Sequence, residues 1–138
     1  MYHEGLMLRD EHPSMALVAF VAAIEAVGQI ENPPDPPCPM CGFKKGAHRA
    51  FESALKRVGF DGEWLRVANK AYSEFRSPTV HSAVLHGHEA TGGVRTLQLN
   101  ASESHARAVA FTFGVAIGDV GQLWLLEQAC KEVLRSYV

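Results

Sequence analysis

The stretch Tyr72-Ser-Glu-Phe-Arg76-Ser77-Pro-Thr-Val-His81 sets an arginine and a histidine four residues apart, across a Ser-Pro pair that reads as a helix junction. A guanidinium fork can hold a phosphate while charge builds on its oxygens, and an imidazole with an ordinary pKa of about 6.5 can move a proton near neutral pH. A second cluster, Cys38-Pro-Met-Cys41-Gly42, has the form of half a zinc knuckle, two thiolates on a tight turn suited to a tetrahedral ion. Such a half does not close a site by itself. A histidine, Cys130 or a second copy of the knuckle would have to complete it, and free thiols in a proline-rich loop are the alternative. Glu25 interrupts the most apolar segment of the chain, where a carboxylate is costly unless paired. It is expected to salt-bridge or orient Arg76, or to find a structural partner elsewhere in the core.

These residues need elements to position them. Asp10 can cap a helix with Pro13 in its first turn, and Leu17, Phe20, Val21, Ile24 and Val27 then recur at steps of three and four. That helix must stop before Asn32-Pro33-Pro34-Asp35-Pro36-Pro37, which removes backbone donors and forces an extended Pro/Cys-rich loop over 32–45. Ala47, Phe51, Ala54, Leu55 and Val58 line one face of a second helix, with Gly59 where a C-terminal cap belongs. Asp61 can cap a third, with a stripe of Trp64, Leu65, Ala68, Ala71, Tyr72 and Phe75 reaching Arg76. Ser77-Pro78 starts a short fourth helix, and 88–100 reads as a loop. Asn100 and Glu103 open a last helical region that ends near Tyr137, with a bend expected near Asp119 among Gly114, Gly118 and Gly121. The expected architecture is all-α: one domain over 1–138, an up-down bundle of five to six helices.

Composition narrows the function classes. With 138 residues, 47% hydrophobic and 20% charged, the chain has the size and balance of one globular domain. The apolar stretch Met15–Val27 is shorter than the roughly twenty residues of a membrane span, so it is read as a core helix, without membrane association. Three cysteines make no disulfide framework, and the first residues lack the layout of a secretory signal, which points to a cytoplasmic protein. A formal net charge of −2 disfavours broad nucleic-acid affinity and gives no reason to expect DNA as a partner. Lys44, Lys45, His48, Arg49, Lys56 and Arg57 make a locally basic stretch opposed nearby by Glu52, which could guide RNA but is more often a solvated helix face.

Arg76 and His81 with four residues between them, Ser77 after the arginine, the apolar helix Phe20-Val-Ala-Ala-Ile24-Glu25-Ala-Val, and Phe51 and Leu55 in the next helix occur in an order that resembles the HEPN family, in its abortive-infection branch. The resemblance runs from about Met15 to Tyr137. It implies metal-independent RNA cleavage within a defence or toxin system, with His81 as the base on the ribose 2′-hydroxyl and Arg76 as the phosphate clamp. The products would carry 2′,3′-cyclic phosphate and 5′-hydroxyl ends. It also implies a homodimer with a composite site on its twofold axis, and no metal for catalysis, so any zinc would be structural. A non-catalytic dimerisation or RNA-binding module is the other outcome the family allows. Two positions depart from the family pattern. The glycine that often follows the motif histidine is Ser82 here, while His86-Gly87 carries that pair and makes His86 a rival. Ala83 stands where one toxin branch has a modified tyrosine, so that control does not carry over.

Overall fold

The computed structural model describes residues 1–33, 35–37, 39–40, 46–76, 79–80, 103–113 and 122–138. It is an all-α helical bundle: α1 (Tyr2–Leu8), α2 (Pro13–Glu31), α3 (Ala47–Arg57), α4 (Gly62–Ala71), α5 (Glu103–Phe113) and α6 (Gln122–Tyr137), with no strand among the described residues. A π-helical turn, Tyr72–Arg76, prolongs α4.

The centre of the bundle is α2, and its sequence explains why. It is apolar around most of its circumference rather than along one stripe, which suits a helix covered on several sides. Leu17, Phe20, Val21 and Ile24 are fully buried, and α3, α6 and α1 pack around it. With 19 residues α2 exceeds the apolar core of Met15–Val27, and by length and composition alone it could cross a membrane; two thirds of that stretch is buried inside the bundle. The helix ends where Pro33 demands it: Asn32 adopts φ −126°, ψ 81°, and its N–H closes the last turn on the Gly28 carbonyl at 2.8 Å.

The face of α3 that carries Phe51, Ala54 and Leu55 is buried as the spacing requires. Its end is a Schellman motif: Gly59, at φ +83°, donates to the Lys56 carbonyl, and Phe60 donates to that of Leu55, both at 3.1 Å. Only glycine reaches that backbone conformation without a steric cost.

Three expectations are corrected. The N-cap position of α2 is His12, not Asp10, whose carboxylate instead lies 3.2 Å from Arg9 Nε. Asp61 does occupy the N-cap position of α4, but its side chain makes no capping bond. Trp64 is not on the buried stripe: it is 41% exposed and lines a surface groove of about 300 Å3 with Trp124 and Phe60, while Val67 is fully buried in its place. The seven residues of α1 were outside every periodic pattern. They hold their place through Tyr2 against Phe20, with ring centroids 5.8 Å apart, and Arg9 against Glu127 of α6 at 3.1 Å. A helix this short depends on such tertiary contacts.

The C-terminal region consists of the two described helices α5 and α6. The glycines and Asp119, where a bend is expected, lie outside the described residues, as does the loop over 88–100. Of the short helix expected from Ser77, Thr79 and Val80 are described, and both are helical.

Candidate active site

Arg76 is the last residue of the π-helical turn, and Tyr72 is the first. One wide turn thus sets both side chains on the same side, and the Arg76 guanidinium carbon lies 5.1 Å from the centre of the Tyr72 ring, within cation–π range. Such turns are rare in helices and are frequent at functional positions.

Opposite them, α2 presents Glu25. The Tyr72 hydroxyl donates to Glu25 Oε1 at 2.6 Å, and Arg76 Nη2 donates to Oε2 at 3.1 Å. Both oxygens of one carboxylate are therefore engaged, and the ion pair is largely out of water: the side chains of Glu25 and Arg76 are 8% and 19% exposed. The partner expected for Glu25 from its place in an apolar helix is Arg76, 51 residues away. The Arg76 Nε is buried without a hydrogen-bond partner. Fewer than one buried polar group in ten is left so in folded proteins, and those that are mark strain or function.

The aromatic floor continues onto α3. The Tyr72 ring packs against Phe51, fully buried, at 5.1 Å and against His48, exposed, at 4.7 Å. His48 Nε2 lies 3.0 Å from Asn69 Oδ1 on α4. An amide oxygen can only accept, so His48 carries its proton on Nε2 and keeps Nδ1 as an acceptor.

Burial pushes the Tyr72 phenol up to about 12, and the hydrogen bond to the Glu25 carboxylate and its negative charge push the same way, with Arg76 opposing. A proton held more tightly by the folded state than by the unfolded chain stabilises the fold below the unfolded value of about 10 and is lost above the folded one. Wild-type protein should therefore lose stability relative to Tyr72→Phe as pH rises from about 10 to about 12. At pH 7 Tyr72→Phe should cost about 1–2 kcal/mol in urea denaturation, since a buried carboxylate oxygen loses its donor. A variant as stable as wild type, with no relative change across that pH window, would contradict this account.

Of the other residues singled out in the sequence, Ser77, His81, His86, Cys38 and Cys41 lie outside the described residues, as do Lys44 and Lys45. Cys130 lies inside the core, where burial pushes its thiol up to about 12, so it packs as a small apolar residue and is no ready metal ligand. No group of three or more histidine, cysteine or acidic side chains is placed to hold a metal among the described residues. The basic face of α3 is partly spent within the chain. Lys56 pairs with Glu52 at 3.0 Å; Arg57 pairs with Glu31 and also donates to Ser136 at 3.0 Å. Glu52 is therefore not the sole opposing charge. A cleft of about 220 Å3 opens beside the proline-rich loop between Glu31, Asp35 and Arg49, apart from the Arg76 cluster.

Sequence reasoning named Arg76 and Glu25 but not Tyr72, His48 or Asn69 as site residues. The four-residue step from Tyr72 to Arg76 carried a signal, since residues so spaced share a helix face. The His48–Asn69 pair joins two helices and has no local signature. In comparisons of the chain with protein-family models, with curated proteins and with solved structures, nothing matched.

Proposed function

We propose that this chain is a HEPN-type helical bundle acting in the cytoplasm as a homodimeric, metal-independent endoribonuclease, within a defence or toxin system. The observation that carries this reading is the guanidinium of Arg76, held on a π-helical turn between the Glu25 carboxylate and the Tyr72 ring, with a buried Nε–H that no protein atom accepts. A fixed guanidinium suits a phosphate clamp, because a donor already in place needs no reorganisation when charge develops. His81, five positions on, would take the 2′-hydroxyl proton, with Ser77 beside the arginine and His86 as the rival base. RNA would be engaged at this local site alone, consistent with the formal charge of −2.

A second reading has its own observation. Arg76 is mostly buried and already paired, as expected of an arginine that ties α4 to α2 in a non-catalytic dimerisation or RNA-binding module. In that module the Cys38–Cys41 loop would be a structural element, with zinc as its candidate ion. The two readings separate on Arg76→Lys, which keeps the positive charge facing Glu25 but loses the fork. In a nuclease, cleavage of single-stranded RNA in EDTA should fall about 100-fold or more while the dimer persists. Unchanged cleavage by the variant would overturn the clamp.

A further inference from the structure

Cleavage of an RNA strand by its own 2′-oxygen moves two protons, one off the 2′-hydroxyl and one onto the departing 5′-oxygen. The reading above supplies His81 for the first and leaves the second without a donor. We infer that His48 is the general acid of this site, protonating the 5′-oxygen as it leaves; the inference rests on the nuclease reading.

Three observations carry it. His48 is the only histidine among the described residues whose ring contacts the Tyr72 platform, at 4.7 Å, and the same platform carries the Arg76 guanidinium at 5.1 Å. The phosphate clamp and an imidazole thus share one aromatic support. Second, the ring is held: Asn69 Oδ1 accepts from Nε2 at 3.0 Å, so Nδ1 is the nitrogen left to face a substrate. An imidazole anchored through one nitrogen while the other meets the reacting group is the usual arrangement of a proton-transfer histidine. Third, His48 is exposed although its ring packs between Phe51 and Tyr72, so it is both oriented and reachable.

The step balances. His81 takes the 2′-hydroxyl proton, the 2′-oxygen bonds to phosphorus, and the bond from phosphorus to the 5′-oxygen breaks with its electron pair on that oxygen. The His48 imidazolium gives its Nδ1 proton to the 5′-oxygen. The products are a 2′,3′-cyclic phosphate and a 5′-hydroxyl, and the now neutral His48 regains a proton from water. The role also explains why a histidine on a basic helix face is tethered to an asparagine on the next helix rather than left free.

The test compares wild type with His48→Ala and His48→Gln on two short RNAs, in EDTA. One is ordinary; the other carries sulfur in place of the bridging 5′-oxygen at one position, and its thiolate leaves without needing a proton. On the ordinary RNA both variants should be slower by about 100- to 10,000-fold, the usual range for one positioned acid, and on the sulfur-bridged RNA they should approach wild type. His48→Gln, which keeps a donor toward Asn69, guards against a loss that is only of structure. Equal losses on both RNAs, or no loss on either, would overturn the role of His48 while leaving the nuclease reading intact. A wild-type protein that cleaves neither RNA would overturn the nuclease reading, and the inference with it.

Discussion

Glu25→Ala should destabilise the bundle by about 3–5 kcal/mol, the cost of leaving a largely buried cation without its counter-charge. The Glu25 carboxylate is the only printed acceptor for two donors from the π-helical turn, Arg76 Nη2 and the Tyr72 hydroxyl, and its side chain is 8% exposed. Removing it strands a guanidinium that is itself 19% exposed, together with a phenol already held against Phe51 and His48. The double variant Glu25→Ala/Arg76→Ala should lose less than the two single losses added together, because the second change removes the charge that the first left unpaired. Urea denaturation of the four proteins checks this. A single loss below about 1 kcal/mol would place the pair among exposed ion pairs, which contribute little, and would contradict the buried arrangement.

Gly28→Ala is the second large effect, and its sign follows from two opposed magnitudes. Alanine inside a helix gains about 1 kcal/mol over glycine, so a free surface of α2 would be stabilised. Here the added Cβ would fall 2.1 Å from the Ala50 carbonyl oxygen and 2.6 Å from its carbon. The obstacle is the backbone of α3, which cannot rotate aside, so the two helices must separate and reopen the packing of Phe51 and Leu55 against α2. Overpacking of this kind costs about 3 kcal/mol at the upper end of its usual range, leaving a net loss of about 2 kcal/mol. Chemical denaturation should show a lowered midpoint with an unchanged slope. A more stable variant would mean that α2 and α3 do not approach so closely.

These two positions also mark what could be read from the sequence. Glu25 was legible because a carboxylate in an apolar segment demands a partner, and Arg76 was among the residues already singled out. The limits of α2, α3 and α4 were legible because Pro33 and Gly59 punctuate long periodic segments whose apolar faces are buried. The close approach at Gly28 was not, since glycine in a helix reads only as a propensity cost until the facing backbone is known. Helix α1 was missed for a related reason: seven residues containing Gly5 show too little periodicity, and they are held by Phe20 and Glu127 from other helices. Trp64 went to the wrong face because an aromatic residue at the right step was taken as core, whereas Val67 fills that place.

The site was legible in part for the same physical causes. Arg76 follows from local spacing, but Tyr72 acts through a hydroxyl that reaches across to α2, and His48 through an amide on the neighbouring helix. The apparent basicity of α3 was a property of the linear sequence. In the folded chain Arg57 faces Glu31, which the proline-rich loop separates from it in sequence. The charges that remain for a substrate are therefore fewer than a count along the helix suggests.

The central claim, that this bundle cleaves RNA without a metal through Arg76 and His81, is tested most directly by incubating labelled single-stranded RNA in EDTA with purified wild type and with His81→Ala, and identifying the product ends. Cleavage by wild type alone, to 2′,3′-cyclic phosphate and 5′-hydroxyl ends, is the predicted result. No cleavage by pure, dimeric wild type, or equal cleavage by the variant, would contradict it.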